Sequence, residues 1–225
     1  MQIAPHDYWQ TVYPPGSFAN AERGLVDRYA AALPDGRQIL LPIRMLPSGD
    51  RAVASLIVNQ ASFAVVDALC DALAEKVAPL AIDVVVGLPT LGLTIAEGLA
   101  RRLGHSRYVP LGTSRKFWYR DELSVPLRSI TSPDAVKRLY VDPRMLPLLQ
   151  QRRIVLVDDV ISTGASMASA LALLARAEIS PCAIAVAMLQ GTEWRRRLVD
   201  VGAPVIGAIE TPVLERGTEG NWRPI

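Results

Sequence analysis

The segment from Val155 to Ser166 carries the residue types with the clearest capacity for chemistry. An apolar run leads directly into Asp158 and Asp159, and the small-residue loop Ser162–Ser166 follows them. Small side chains let backbone N–H groups turn toward an anion, and a helix beginning after the loop adds unpaired donors and a partial positive charge. Carboxylates accept hydrogen bonds and repel a phosphate, so they suit a neighbouring diol or a metal ion. A sugar phosphate fits both parts of the segment.

The elements around this segment alternate between short apolar runs and amphipathic stretches. Strands are predicted at Ile82–Gly87, Tyr108–Leu111, Ile154–Val157, Ala183–Leu189 and Val205–Ile209, and helices at Gln60–Val77, Ile95–Leu103 and Ser166–Ala177. Strands that alternate with helices predict an α/β fold, a Rossmann-like parallel sheet with helices on both faces. Ligands bind such sheets at the carboxyl ends of the strands, where Asp158 and Asp159 would lie.

The beginning of the chain lies outside this alternation. The predictions there are an irregular arm at residues 1–20, a short helix at Ala21–Leu33 and two extended runs, Gln38–Arg44 and Ala52–Asn59. Pro, Gly and Asp between the two runs favour a turn, so we expect a hairpin or two neighbouring strands. Residues 1–225 are expected to form a single domain, in which residues 1–58 supply the arm and a small hood or lid.

The composition excludes several classes of partner. With 24 basic and 22 acidic residues the formal charge is +2, and there is no basic stripe typical of nucleic-acid binding. The cluster Arg195–Arg197 is interpreted as a solvated helix face. Cys70 and Cys182 are far apart within apolar segments, which indicates buried thiols rather than a disulfide or metal site. Without a signal-peptide pattern or an apolar run of about 20 residues, we expect a cytoplasmic protein with no membrane or nucleic-acid partner.

Residues Ile154–Ser166 resemble the motif that binds 5-phosphoribosyl-1-pyrophosphate (PRPP) in type I phosphoribosyltransferases. In that motif hydrophobic residues lead to two acids, two hydrophobic residues and a loop rich in Ser, Thr and Gly, and every position here is compatible. The resemblance implies that Asp158 and Asp159 act in catalysis by holding the ribose 2′- and 3′-hydroxyls. The residues implied to bind the 5′-phosphate are Ser162, Thr163, Gly164, Ala165 and Ser166. It also implies Mg²⁺ chelated mainly by PRPP, with no metal site made by protein side chains.

A second segment, Val84–Gly104, looks like the strand, pyrophosphate loop and helix of the same family. The resemblance implies that Thr90, Leu91 and Gly92 offer backbone N–H groups to the pyrophosphate. The overall layout is most similar to the adenine phosphoribosyltransferases, which usually carry an arginine where Leu91 stands. One charged contact to the pyrophosphate is therefore missing from this chain.

Residues 112–150 show no clear periodicity, and a stretch of that length inside a compact domain is usually functional or mobile. Its first part, within Tyr108–Ser129, occupies the place of the family's flexible catalytic loop. The resemblance implies that Arg115 and Lys116 act in catalysis, with Tyr119 and Arg120 as further candidates. Closure of such a loop would exclude water and bring cations to the departing pyrophosphate.

The function implied is transfer of 5-phosphoribosyl from PRPP to a nucleobase, with a purine favoured, in nucleotide salvage by a homodimer. Orotate, xanthine and hypoxanthine remain open, and Trp194 or Phe18 could stack on a base, although simple packing is the more ordinary role for both. His6 and His105 are poor catalytic candidates. One alternative is a PRPP-sensing regulator without catalysis; Leu91 favours it, but residues 1–55 are too short and too strand-like for a winged helix. Another is an α/β domain for a different nucleotide.

Overall fold

A computed structural model describes residues 3–20, 24–127, 137–217 and 220–225. The strands are β1 Val12–Tyr13, β2 Arg28–Ala32, β3 Gln38–Met45, β4 Arg51–Ala54, β5 Val84–Gly87, β6 Val109–Pro110, β7 Ser124–Leu127, β8 Lys137–Tyr140, β9 Ile154–Ile161, β10 Ala183–Gln190, β11 Val205–Thr211, β12 Val213–Arg216 and β13 Trp222–Pro224. The α-helices are α1 Phe63–Val77, α2 Gly92–Arg102, α3 Leu146–Leu149, α4 Ala165–Arg176 and α5 Trp194–Arg197. None of the helices in these ranges is both long and apolar enough to cross a membrane.

The central sheet has the strand order β11-β10-β9-β5-β6, and every neighbouring pair is parallel. The predicted α/β fold with a parallel sheet is therefore confirmed. Side chains alternate between the two faces of β9 because a strand has a period of two residues. Val155 and Val157 pack with α1 and α2, whereas Ile154 and Leu156 pack with α4 on the opposite face. Both faces of β9 are covered, which is why its sequence is apolar at every position from Ile154 to Val157.

Local sequence signals mark the ends of α1 and α2, although α1 begins at Phe63 rather than Gln60 and α2 begins at Gly92 rather than Ile95. The Ser62 hydroxyl accepts a hydrogen bond from the Val65 N–H and so caps the first turn of α1. Gly104, at φ +77°, follows α2 and allows the His105 N–H to bond back to the Ala100 carbonyl. These two helices cover one face of the central sheet and fix the position of the loop that precedes α2.

A second, antiparallel sheet combines the two ends of the chain. Its order is β1-β3-β4-β12-β13, with β2 paired to β3. The two predicted runs do form a hairpin, β3–β4, although β4 ends at Ala54 rather than Asn59. Strands β12 and β13 are additions from the C-terminal region, and β12 pairs with β4.

The prediction of a helix at Ala21–Leu33 is wrong. Residues 21–23 lie outside the described ranges, and Arg28–Ala32 forms strand β2, in which Tyr29 faces Leu41 of β3. The side chain of Asn20 completes the pairing, because it donates to the Ala30 carbonyl at 3.0 Å and accepts from the Ala30 N–H at 2.9 Å. Pairing with β3 thus overrides the helical preference of this alanine-rich stretch.

The stretch at residues 112–150 contains more regular structure than its sequence indicates. Strands β7 and β8 form a two-stranded antiparallel sheet in which Val125 faces Leu139. Both of these side chains are buried together with α4, which gives the short strands a covered face. Residues 128–136, including the end of the predicted catalytic loop, lie outside the described ranges.

Candidate active site

The acid pair lies inside strand β9 rather than after it. The strand was predicted to end at Val157, but it continues to Ile161, and Asp158 pairs with Val186 of β10. The Asp158 side chain is buried, with only 7% of the residue exposed, and Asp159 is partly buried. One Asp158 oxygen, Oδ1, accepts the Asp159 backbone N–H at 2.9 Å. The strand therefore holds both carboxyl groups in fixed positions.

Burial changes the acid–base properties of the pair. It raises the pKa of Asp158 well above the ordinary carboxyl range, and the adjacent charge of Asp159 raises that pKa further. Burial also raises the pKa of Asp159. Two adjacent carboxylates with little water around them are costly, and hydrogen-bond donors from a ligand would relieve that cost.

We expect Asp158→Asn to make the protein more stable at alkaline pH. The folded chain keeps a proton that the unfolded chain releases, so stability falls as pH rises from the ordinary carboxyl range through the raised Asp158 pKa. Asparagine cannot ionise and keeps the oxygen that accepts the Asp159 N–H. At pH 8 the melting temperature should rise by about 2–4 °C for each 1 kcal/mol gained, and the gain should shrink toward pH 5. An unchanged or lower melting temperature at pH 8 would contradict this account.

The loop after β9 presents unpaired backbone donors. The backbone N–H groups of Ser162, Thr163 and Gly164 have no partner among the described residues, and the first helical bond of α4 joins the Ala168 N–H to the Gly164 carbonyl. Gly164 has φ +77°, a conformation that favours glycine, and it marks the turn into α4. Free N–H groups at the start of a helix of this length are typical of a phosphate site.

Helix α5 packs behind the same loop. A Cβ added to Gly164 would lie 3.4 Å from the Trp194 Cβ and 3.5 Å from Leu198. Arg197 of this helix donates from its guanidinium to the Thr163 hydroxyl at 3.4 Å. The cluster Arg195–Arg197 is exposed, as interpreted from the sequence, but Arg197 also contacts the loop.

A second loop, between β5 and α2, faces the acid pair. The N–H groups of Thr90 and Leu91 have no partner among the described residues, and the peptide bond between Pro89 and Thr90 is cis. Gly92 begins α2 directly against Asp158: a Cβ added there would lie 2.7 Å from Oδ1 and 2.8 Å from the Cα of Asp158. Only a glycine allows the helix to approach the acid pair this closely.

An open cavity of about 610 Å³ unites these features. The sequence-predicted residues that line it are Thr90, Leu91, Asp158, Asp159, Ser162, Thr163, Gly164, Ala165 and Ser166. The cavity is rich in acceptors beside the acid pair and in donors at the two loops. Among the described lining residues Lys137 is the only cation. The arrangement can bind a molecule with hydroxyls at its centre and an anionic group on either side.

A further part of the cavity lining comes from β4, the residues that follow it and the end of β10. Residues 53–57 form this part together with Met188 and Gln190. The Trp9 indole donates to the Ser55 carbonyl at 2.8 Å, so the N-terminal arm fixes this part from behind. After Ser55, the backbone N–H groups of Leu56 and Ile57 have no partner among the described residues. An apolar wall with a few free donors suits a flat heterocycle.

Several sequence-predicted residues lie away from the cavity. Arg115 and Lys116 are exposed and do not line it, and Arg115 instead contacts Asp121 at 3.3 Å. Trp194 donates to the Gly191 carbonyl and Phe18 stands edge-on to Tyr13, so both are packing residues here. The remaining candidates outside the cavity lining are Gly92, which lies directly behind Asp158, and Tyr119, Arg120, His6 and His105.

Sequence reasoning also missed residues that the fold brings to the site. Lys137 enters the cavity from β8, which was not predicted as a strand. Gln190 is the last residue of β10. A single polar residue at the end of an otherwise apolar strand is a sequence signal that could have identified it as a site residue. Arg197 contacts the phosphate-type loop from a helix that begins 28 residues after the loop's last residue, Ser166.

Comparisons with known proteins agree with this geometry. The family model for the phosphoribosyl transferase domain matches residues 53–206. The adenine phosphoribosyltransferase of Thermosynechococcus vestitus is 30% identical over 152 residues, which cover 67% of this chain and 84% of the relative. Two solved structures share the fold: the Giardia lamblia enzyme complexed with 9-deazaadenine (TM-score 0.59, 18% identity, 82% of this chain and 93% of that one) and the Thermoanaerobacter pseudethanolicus adenine phosphoribosyltransferase (TM-score 0.55, 20% identity, 66% and 81%). The chain therefore belongs to the phosphoribosyl transferase domain family and is a phosphoribosyltransferase.

Proposed function

We propose that this protein transfers the 5-phosphoribosyl group of PRPP to a nucleobase, with a purine favoured, and releases pyrophosphate. The observation that carries the proposal is the position of Asp158 and Asp159 in one cavity between two loops with unpaired N–H groups. PRPP has a matching order of groups: a phosphate, a ribose diol and a pyrophosphate. The family match and the similarity to an adenine phosphoribosyltransferase support the same reaction.

The proposed binding mode assigns one group of PRPP to each part of the cavity. The 5′-phosphate binds residues 162–166, where backbone N–H groups, hydroxyls and the start of α4 favour an anion. The ribose hydroxyls donate to Asp158 and Asp159. The pyrophosphate lies against Thr90, Leu91 and Gly92, at the start of α2.

The proposed reaction is a displacement at ribose C1. The bond from C1 to the pyrophosphate oxygen breaks, the bond from C1 to a base nitrogen forms, and the proton of that nitrogen is released. Positive charge that develops on the ribose ring faces Asp158 and Asp159, whereas negative charge on the leaving group faces the N–H groups of Thr90 and Leu91. Lys137 is placed to add a positive charge on the cavity side of β8.

Arg115 and Lys116 are proposed to act after a loop movement. They are exposed in this conformation, and their segment carries the highly exposed Phe117 as well, with 97% of that residue in solvent. Movement of the segment over the cavity would bury these side chains and bring two cations to the pyrophosphate. The antiparallel sheet is proposed to serve as the hood that covers the base.

The donor set fits a magnesium ion that arrives with its substrate. Among the described residues no group of three or more His, Cys, Asp or Glu side chains could hold a metal by itself. Mg²⁺ commonly binds through one or two carboxylates together with substrate phosphates. Asp158 and Asp159 would supply the carboxylates, and PRPP would supply the phosphates. When bound, the ion neutralises part of the pyrophosphate charge.

The direct test is a panel of bases incubated with the protein and Mg-PRPP, with pyrophosphate release as the readout. The panel contains adenine, hypoxanthine, guanine, xanthine and orotate. Release that depends on a purine supports the proposal. PRPP binding without turnover of any base would instead indicate the sensor alternative, and absence of PRPP binding would contradict both.

We expect Arg197→Ala to raise the KM for PRPP by about three- to ten-fold, because the loop proposed for the 5′-phosphate would lose the one charged hydrogen bond that holds the Thr163 hydroxyl. Arg197 reaches the loop proposed for the 5′-phosphate through its contact with Thr163. The KM for the base should stay unchanged, because the base lies at the other end of the cavity. The control is Arg196→Ala, since Arg196 is exposed on the same helix and makes no side-chain hydrogen bond to the described residues of the loop. Equal KM values for the two variants would remove Arg197 from the site.

A further inference from the structure

A second cavity, of about 330 Å³, lies at the edge of the central sheet where the parallel strands begin. Asp83 and Val84 line it at the start of β5, and Val109 lines it at the start of β6. It shares no lining residue with the cavity that contains the acid pair. Leu88 of that first cavity follows Asp83 by five residues, which is about 16 Å of extended chain at roughly 3.3 Å per residue. A molecule in the second cavity would therefore bind apart from the acid pair.

Two arginines without partners line the second cavity. Arg107 comes from the segment after α2 and Arg152 from the segment before β9, and both are exposed. Neither guanidinium makes a hydrogen bond or an ion pair with the described part of the chain. The neighbouring Arg153 differs, because its Nε donates to the Leu80 carbonyl at 2.8 Å. Arg107 and Arg152 thus supply two positive charges that no contact within the protein uses.

The other polar groups of the second cavity also favour an anion. Asp83 is the single acid among the described lining residues, and its Oδ2 already accepts the Arg153 backbone N–H at 2.8 Å. The backbone N–H groups of Ser106 and Arg107 have no partner among the described residues, and the Ser106 hydroxyl lies in the same lining. An anion would meet donors from guanidinium, hydroxyl and backbone groups together.

The remaining side of the second cavity is apolar. It is formed by Val84, Val109, Pro147 and Leu148. Val84 and Leu148 are partly buried against the core on the α4 face of the sheet, which gives this side a firm base. The volume is at the lower end of the range of about 300–1,000 Å³ that is typical of small-molecule sites. An apolar surface beside a cationic one suits an anion that carries an organic body, rather than a free ion.

We infer that the second cavity binds a phosphate monoester of about nucleotide size, with its phosphate between Arg107 and Arg152. A phosphate monoester carries a charge close to −2 and three terminal oxygens, so it can engage both guanidinium groups at once. A carboxylate has one charge and two oxygens, and one arginine is sufficient to pair with it. The apolar side would contact the body of the ester. The inference does not depend on the proposed transfer reaction.

The histidines of the chain allow this cavity to be observed directly. The chain has two, His6 and His105. His105 lines the second cavity, and its Nε2 donates to the Ile82 carbonyl at 3.1 Å, so the ring has a fixed position there. His6 is exposed in the N-terminal arm and serves as an internal reference. The ring C–H signals of the two residues can be assigned in an NMR spectrum with the variant His6→Gln.

The experiment adds cytidine 5′-monophosphate to the wild-type protein at constant pH and follows both histidine signals. We predict a saturable shift of the His105 signal and no shift of the His6 signal. Cytidine, which lacks the phosphate, should cause no shift. Inorganic phosphate should bind at least about ten-fold more weakly, because it makes no contact with the apolar side. Equal affinity for inorganic phosphate would overturn the assignment to an ester.

Variants test whether the two arginines hold the phosphate. Arg107→Gln and Arg152→Gln should each weaken binding at least about ten-fold, in keeping with loss of a charged hydrogen bond. The control is Arg51→Gln, because Arg51 is exposed and lines neither cavity. Asp159→Asn should leave the His105 response unchanged, since it alters the other edge of the sheet. Thermal melting shows that each variant is folded.

Two results would overturn the inference. One is a His105 signal that does not respond to cytidine 5′-monophosphate, and the other is a response that persists unchanged when Arg107→Gln and Arg152→Gln are combined. Neither result involves turnover. Failure of the proposed transfer reaction would appear separately, as absence of pyrophosphate release with every base of the panel.

Discussion

Replacing Asp159 by asparagine is expected to lower kcat/KM for PRPP by roughly 10²–10³-fold, because one change removes a charged acceptor for the ribose and a charge that stabilises the transition state. Asp159 lines the cavity and is only partly buried, so asparagine can occupy its place without a clash. The measurement is steady-state pyrophosphate release with the preferred base, together with a thermal melt of the variant. The fold should be retained.

The matched control for this variant is Asp200→Asn. Asp200 is exposed, lies beyond α5 and does not line the cavity, so the same loss of one negative charge should leave kcat/KM unchanged. This pair of variants separates the local role of Asp159 from a general effect of net charge. If Asp159→Asn retained the wild-type rate, the assignment of the acid pair to the ribose would be wrong.

Replacing Gly92 by alanine is expected to lower kcat/KM by about 10²-fold, the usual consequence of misplacing a reacting group by about 1 Å. The added Cβ would lie 2.7 Å from Oδ1 and 2.8 Å from Cα of Asp158, and the second of these atoms belongs to the backbone of the central sheet. Either α2 or β9 must shift, and both carry a proposed part of the site. The pyrophosphate loop and the acid pair would no longer have their relative positions.

Gly202→Ala is the control for the glycine substitution. Gly202 has no heavy atom within 4 Å of an added Cβ and is not at positive φ, so alanine should be accepted there without strain. Steady-state kinetics and melting temperature should match the wild type for Gly202→Ala and differ for Gly92→Ala. Wild-type kinetics in Gly92→Ala would show that the close approach of α2 to Asp158 has no functional importance.

The central sheet was predictable because its information is local. Buried parallel strands such as β9 and β10 are apolar at every position, and the helices between them have clear amphipathic spacing and end signals such as Gly104. The extension of β9 through Asp158 and Asp159 was not predictable in the same way. Two charged residues ordinarily end a strand, and only pairing with β10 keeps them within it.

The antiparallel sheet was harder to predict because its pairings join distant parts of the chain. Strand β2 has an alanine-rich sequence with helical preference, and its pairing with β3 decides the outcome. Strand β12 is only Val213–Arg216, and it becomes a strand by pairing with β4, about 160 residues earlier in the sequence. A short segment cannot reveal a partner that far away.

In the candidate site too, the residues of one contiguous segment could be predicted and the residues from distant parts of the chain could not. The acid pair and the loop at Ser162–Ser166 form one contiguous segment, so their chemistry could be read from residue types and spacing. Lys137 and Gln190 reach the cavity from separate strands, and their relevance depends on tertiary placement. Arg115 and Lys116 were assigned a catalytic role through resemblance alone. Because both are exposed in this structure, that role stays a prediction for a conformation in which the loop is closed.

The central claim is that the acid pair and the loop after it hold two ends of the same phosphorylated pentose. Isothermal titration of Mg-PRPP into the wild-type protein, and then into the protein saturated with ribose 5-phosphate, tests it most directly. We predict saturable binding at one site per chain that ribose 5-phosphate competes away and that Asp159→Asn weakens strongly. Absence of saturable binding to the wild type, or binding that neither ribose 5-phosphate nor Asp159→Asn affects, would contradict the claim.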